Sequence, residues 1–441
     1  MLIHNSTILT MDEDHAVLPD GAIYIRNEVI REIGSSRALQ EKYPDEEKLD
    51  ANGMVLMPGM INLHMHLYST LARGIALKDP PPGTFNQILE RLWWRLDKAL
   101  DEKAVQLSAL VPLIQAIRSG TTTLFDHHSS PGFITGSLDI LASVFEETGL
   151  RGCLCYEVSD RDGPERRGEG IRENIRFLEQ CRKEPHPLLC GLFGLHASFT
   201  LGEDTLRECV EAAGGLDAGF HVHLAEGRSD LEHCREHYGK TVVKRFADAG
   251  ILGPRTIAAH CVHITDEDIE ILRETRTIAA HNPRSNMNNA VGWPPLPEML
   301  QRGVTVGMGT DGMSPGMMDE LKTCNLLYKH NSADPRTGSG ECIGMLLDCN
   351  PLIAGRLFGE KIGVIEEGAK ADLILIDYHP PTPITSSNLT GHILFGMGDA
   401  PVDTMLVEGR ELMRGREILV LDEEEIAARA RETAARVWER F

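Results

Sequence analysis

The 441-residue sequence contains no run of about 18 apolar residues, the length at which a segment reads as a membrane span, so no membrane partner is expected. It has no surplus of basic charge. Its 44 Lys and Arg stand against 66 Asp and Glu, for a formal net charge of −22. A surface that neutralises phosphates needs the opposite sign, so no nucleic-acid partner is expected. The ten cysteines lack the spacing of a disulfide scaffold. Cys190, Cys209 and Cys261 stand in apolar surroundings and read as small buried hydrophobes of a reducing compartment. Cys153 and Cys155 would share a strand face, but no second pair accompanies them, and they read as structural thiols rather than metal ligands. The opening MLIHNSTILTMDED has neither the basic nor the apolar region of a secretion signal, so a cytoplasmic location is expected.

What is present is an ordinary globular composition, 42% hydrophobic and 25% charged, which supplies a sizeable core. The length fits a barrel of about 250 residues plus a smaller companion. Residues 1–57 are strand-like, with β-branched residues punctuated by Asn, Asp and Gly. From Met57-Pro58-Gly59 onward, short apolar runs alternate with amphipathic stretches. The strand candidates are MINLHMH, TTTLFDH, RGCLCYEV, CGLFGLHA, GFHVHLA, TIAAHCV, TIAAHNP and VTVGMGTDG. The helix candidates between them include Glu102–Ser119, Leu138–Thr148, Arg172–Lys183 and one long helix over Leu231–Ala249. Strand texture returns after about Gly359, with a hairpin expected around Glu408-Gly409. The expectation is an α/β protein. A TIM-type (β/α)8 barrel spans residues 58–358, and a small discontinuous β-sandwich is formed by both chain ends, 1–57 and 359–441. Residues 422–438 read as a packing or subunit-contact helix, acidic at its start and basic later.

Four signals for chemistry fall at the C-terminal ends of strand candidates, where barrel sites are built. His64-Met65-His66 closes the first; residues i and i+2 of a strand point the same way, so two imidazoles converge. By itself such a pair is as much coincidence as metal site. His223 closes the fifth strand, with Glu226 three residues on; His221 reads as core or support for a ligand histidine. His260 closes the sixth, and His263 reads as structural. Asp311 follows the eighth in GMGTDG, where glycine leaves the backbone unencumbered. Taken alone it would be a turn aspartate, but beside three histidines a carboxylate ligand is what the set lacks. The expected cofactor is one divalent metal ion, with Zn ahead of Fe, which lowers the pKa of a bound water from 15.7 to about 7. Asp311 could take the water's proton, Glu226 could carry a proton to the substrate and His260 could stabilise developing charge.

The motifs MPGMINLHMH, TTTLFDH, GLHASFT, HVHLAE, IAAHCVH, AAHNPRSN and GMGTDG, followed by IGVIEEGAKADLILID, cover nearly the whole chain. Through them the sequence resembles the amidohydrolase superfamily. Within it, the branch holding cytosine, guanine and S-adenosylhomocysteine deaminases and triazine chlorohydrolases is the most similar, and TTTLFDHHSSP resembles the SsnA-type aminohydrolases. The resemblance implies metal ligands at His64, His66, His223 and Asp311. It implies a proton shuttle at Glu226, a water- or substrate-contacting His260 and a substrate-contacting His196. The stretch LLCGLFGLHA has no lysine where binuclear relatives carry one, which implies a single metal. The resemblance also implies a homodimer.

Arg73, Trp93 and Trp94 follow the first strand, on a loop and helix that close over substrate in relatives. One tryptophan is expected in the core and the other, assigned to Trp93, against a planar ring. His127 is a candidate pocket donor and His128 a packing residue. Arg284 could bind an anion or form a loop salt bridge. The function expected is hydrolytic deamination of a small N-heterocycle (purine, pyrimidine or pterin) with release of ammonia. The alternatives are ring-opening amide hydrolysis, deimination or dechlorination at the same site, or a non-catalytic metal-binding scaffold.

Overall fold

The computed structural model describes residues 1–216 and 218–441. Its central feature is a ring of eight parallel strands built as two arcs. The first arc holds Met60–Met65, Thr121–His128, Arg151–Tyr156 and Leu189–Gly191 in that order. The second holds Phe193–Ala197, Phe220–Leu224, Ile257–His260, Ile278–His281 and Val306–Met308. All eight expected strands form. CGLFGLHA, however, breaks at Leu192 into two short strands and carries the chain from one arc to the other. A parallel bridge from Val158 to Leu195 joins the arcs at that seam. The opposite seam closes through a parallel bridge between Met65 and Asp311, where the amides of Thr310 and Asp311 both donate to the His64 carbonyl.

Local chemistry explains why the helices stop where they do. Helix Glu102–Ser119 ends at Gly120, whose φ of 79° is the left-handed conformation that glycine adopts without strain, and the chain drops into TTTLFDHH. The single helix expected over Leu231–Ala249 is two, Arg228–Tyr238 and Val242–Ala249. Gly239 at φ 66° terminates the first, and the Thr241 side chain caps the second by accepting from the Lys244 amide. The sequence reading of an unbroken apolar period missed this pair of caps.

The chain ends meet in one continuous nine-stranded sheet. Strand Leu373–Ile376 from the C-terminal part pairs antiparallel with Val55–Pro58 from the N-terminal part. Its side chains alternate. Leu373 and Leu375 enter a core enclosed by the sheet itself, with Ile3, Ile8 and Ile23. Ile374 and Ile376 face the barrel's helices and join the main core. The hairpin expected at Glu408-Gly409 is present, with φ values of 50° and 71°, the pair that a tight twisted turn requires. Arg151, fully buried on the third barrel strand, pins the sheet to the barrel through Asp372 at 2.6 Å and Glu408 at 3.0 Å.

The terminal helix Glu423–Arg440 packs along Glu102–Ser119. Trp438 Nε1 donates to the Leu71 carbonyl at 2.7 Å, so this helix also holds the loop after the first barrel strand. No helix among the described residues is long and apolar enough to cross a membrane.

Candidate metal centre

At the C-terminal mouth of the barrel, His64, His66, His223, His260, Glu226 and Asp311 come together, all buried or nearly so. His66 Nε2 lies 3.1 Å from Asp311 Oδ1 and 3.1 Å from His223 Nε2. His64 Nε2 lies 3.8 Å from Asp311 Oδ1. Ligands 2.0–2.1 Å from a tetrahedral ion sit about 3.3 Å from one another, so these separations are those of a ligand shell.

The other ring nitrogens are occupied. His66 Nδ1 donates to the His127 carbonyl at 2.6 Å, and His223 Nδ1 to the His196 carbonyl at 3.0 Å. His64 Nδ1 meets His221 Nε2 at 2.9 Å, which makes His221 the supporting histidine expected from the sequence. The His66 and His223 tautomers are thereby set with Nε2 facing inward, the arrangement that orients metal-binding imidazoles. His64 Nε2 is buried with no hydrogen-bond partner. An orphaned ring nitrogen, two further Nε2 atoms converging on it and one carboxylate form a donor set that fits a divalent ion.

Electrostatics agree with this. Burial and neighbouring rings hold His64 and His223 well below the usual imidazole range, so they are neutral as ligands must be. Burial would lower His66 too, but its hydrogen bond and charge pairing with Asp311 override this and lift it to about 9. Asp311 is held below the ordinary carboxylate range despite burial, chiefly by His66. This point of the site draws positive charge, whether proton or metal ion.

Around the shell stand groups able to move protons. Glu226 Oε2 is 3.6 Å from His260 Nε2, and its carboxyl is pushed well up by burial and by the Asp311 charge. His260 Nδ1 bonds Asn286 Oδ1 at 2.8 Å, which aims Nε2 at Glu226 and at Asp311 Oδ2, 3.9 Å away. Ser285 donates to Asp311 Oδ2, and Asn289 reaches Glu226 Oε1 at 3.4 Å. Three residues here adopt a left-handed backbone although none is glycine: Ala225 at φ 48°, His260 at 76° and Asp311 at 56°. Such strain persists where surrounding structure enforces it, and here it turns side chains at three strand ends toward one point.

The centre opens into a cavity of about 470 Å3. His196 and Arg73 line it, but the Arg73 guanidinium is turned away to Gln115 Oε1 at 3.0 Å. Both tryptophans line it. Trp93 also packs against the core, whereas Trp94 stands beside His196 and Phe199. His127 does not reach the cavity. It lies within the second strand with no exposed surface, donates from Nε2 to the His221 carbonyl at 3.0 Å, and faces Glu157 Oε2 at 3.3 Å from Nδ1. His128 packs as expected, bonded to Ser130. Arg284 forms the loop salt bridge, to Glu320. Cys153 and Cys155 are buried free thiols.

Sequence reasoning missed Glu157. It stands one residue past the third strand, lines the cavity and is 4% exposed. Burial would raise its carboxyl, but the surrounding His196, His127 and Arg161 reverse this and bring it to about 2. The rule that located Glu226 and Asp311, a polar residue at a strand's C-terminal end, would also have located Glu157.

Comparison with known proteins agrees with the fold. A model of the amidohydrolase family matches residues 55–412. The chain is 33% identical over 442 residues to a 5-methylthioadenosine/S-adenosylhomocysteine deaminase of Pelotomaculum thermopropionicum, covering 99% of this chain and 98% of the relative. It is 32% identical over 438 residues to a 5'-deoxyadenosine deaminase of Methanosarcina mazei, covering 98% and 97%. Among solved structures, an adenosine deaminase from Xanthomonas campestris with bound zinc superposes with a TM-score of 0.87 at 24% identity, over 99% of this chain and 98% of that one. The zinc-complexed atrazine chlorohydrolase of Arthrobacter aurescens gives 0.81 at 20% identity, over 99% of each. A ligand-shaped cluster at the mouth of an eight-stranded ring, a sheet shared by both chain ends and full-length similarity lead to one conclusion: this chain belongs to the amidohydrolase family.

Proposed function

We propose that the chain is a metal-dependent aminohydrolase that removes an amino group from a small N-heterocycle as ammonia. The observation that carries this reading is the placement of Glu226 on the cavity wall, with His260 3.6 Å behind it and beside the candidate ligand cluster. His64, His66, His223 and Asp311 would hold one divalent ion, for which Zn is the first choice and Fe the second. That ion supplies water acidified from a pKa of 15.7 to about 7.

The chain's own groups do the rest. Asp311 accepts a proton on the oxygen that Ser285 holds in place. Glu226, steered by Asn289, delivers a proton to the ring nitrogen next to the reacting carbon and so makes that carbon electron-poor. His260, fixed by Asn286, presents Nε2 to the charge that develops beside the carbon. Trp94 and Phe199 flank the substrate and keep water out of the cavity. The similarity to enzymes named for adenine nucleosides makes purines the first substrates to try.

The test is ammonia release from a panel of purines, pyrimidines and pterins by zinc-loaded protein. Cleavage of a ring amide with no ammonia at any substrate would replace deamination with ring opening on the same residues. Turnover that survives Glu226→Gln would show that proton delivery does not depend on Glu226.

A further inference from the structure

Glu157 stands apart from the machinery above, yet the cavity wall is arranged around it. Its Oε1 lies 3.7 Å from His196 Nε2 and 4.0 Å from Arg161 Nη2, and its Oε2 lies 3.3 Å from His127 Nδ1. The Arg161 guanidinium pairs with Asp97 and Asp162 and lies over the Trp94 ring. Three carboxylates thus face one guanidinium at this end of the cavity, and Glu157 lines the opening. A ligand atom from each of Glu157, His127, His66 and His223 falls within 4.8 Å of the others. His66 and His223 each have a single Nε2 to offer, already turned to the ligand shell, so this grouping does not make a second full site.

We propose that Glu157 is a specificity-determining residue that accepts a hydrogen bond from a ring N–H of the substrate, so that the preferred substrates are amino-substituted lactam rings rather than adenine rings. The inference rests on the heterocycle reading above. An ionised carboxylate only accepts hydrogen bonds. Its carboxylate lies within 4.8 Å of a ring nitrogen of His66 and of His223, so it stands beside the reacting ring rather than a remote substituent. A ring carrying an N–H donates to it, whereas an adenine ring presents it with a bare nitrogen or a C–H and leaves its cavity-facing lone pair without a donor.

The test is equilibrium binding to zinc-loaded, full-length protein, in a Glu226→Gln background that slows turnover. Guanine and isocytosine are compared with adenosine and 2',3'-dideoxyadenosine. Expected is tighter binding of the lactams, lost by about 10- to 100-fold in Glu157→Gln with little change for adenosine. Glu157→Asp, which keeps the charge, should retain the preference. Zinc content should be unchanged in both variants.

Loss of zinc in Glu157→Gln would make the residue a ligand and overturn the proposal. So would equal binding of lactams by both proteins, binding of no compound, or an effect of Glu157 that follows the ribose hydroxyls of adenosine. If no compound yields ammonia with wild-type protein while lactam binding still depends on Glu157, the deaminase reading fails and this inference stands.

Discussion

His66 Nε2 and His223 Nε2 lie 3.1 Å apart, on rings whose Nδ1 atoms are already committed to backbone carbonyls. Two inward lone pairs at that distance need a cation between them. Metal removal should therefore destabilise the fold as well as abolish activity. Treatment with a strong chelator should lower the melting temperature, and zinc should restore it. For zinc at about 1,000 times its Kd the stabilisation is about 4 kcal/mol. His66→Ala and His223→Ala should show the low melting temperature with or without zinc. Calorimetry with metal analysis checks this, and a chelator-insensitive transition would contradict it.

Glu226 is the acid most closely tied to the reaction. Glu226→Gln should lower kcat by about 100- to 10,000-fold while zinc content stays at the wild-type level. Steady-state ammonia assays paired with metal analysis separate the two effects.

Gly309 touches the ligand strand directly. A Cβ there would fall 2.7 Å from the His64 amide nitrogen and 2.6 Å from Asn282 Oδ1. Gly309→Ala should therefore displace His64, cost about 1–3 kcal/mol and weaken zinc binding. Gly340→Ala meets nothing within 4 Å and serves as the control. Denaturant melts and zinc titration read both.

The acid side of the stability profile should carry the mark of His128. Burial pulls this imidazole down to about 3, so the folded protein keeps it neutral. The unfolded chain takes up a proton near the ordinary value of about 6.5. Between those pH values the unfolded state binds more protons, so stability falls as pH falls, by about 1.4 kcal/mol per pH unit for this group. His128→Asn should flatten the slope between pH 6 and pH 4, whatever it does to stability at pH 8. A slope unchanged in the variant would assign the acid loss to other groups.

The cavity wall allows a further contrast. Arg73 is engaged with Gln115, so Arg73→Ala should change KM little. Trp94→Ala removes a ring beside His196 and should raise KM several-fold with a smaller effect on kcat. Initial-rate kinetics on one good substrate are sufficient.

The clustering at the mouth was legible in the sequence because barrel strands obey a simple rule: polar residues at their C-terminal ends meet at the mouth. His64, His66, His223, His260 and Asp311 all follow it, and the eight strands could be counted from their apolar runs. What the sequence concealed depends on direction and pairing. His127 occupies a strand end as His66 does, but its ring turns into the barrel wall, and a one-residue change of face is invisible to composition. Arg73 sits on the cavity wall but its guanidinium is taken by a glutamine on another element. Glu157 was overlooked because RGCLCYEV reads as an apolar strand with a terminal charge, and only its three partners show that the charge is retained inside the protein.

The seam between Met65 and Asp311 has a consequence for how the molecule comes into being. The strand bearing the first two histidines lies near the start of the barrel, and the aspartate that completes their set arrives with the last barrel strand. During synthesis the early histidines leave the ribosome long before their carboxylate partner exists. The full cluster therefore forms only when the final strand arrives. The bridge that closes the ring also brings Asp311 to the histidines, so a chain that has not finished its barrel does not own a finished site.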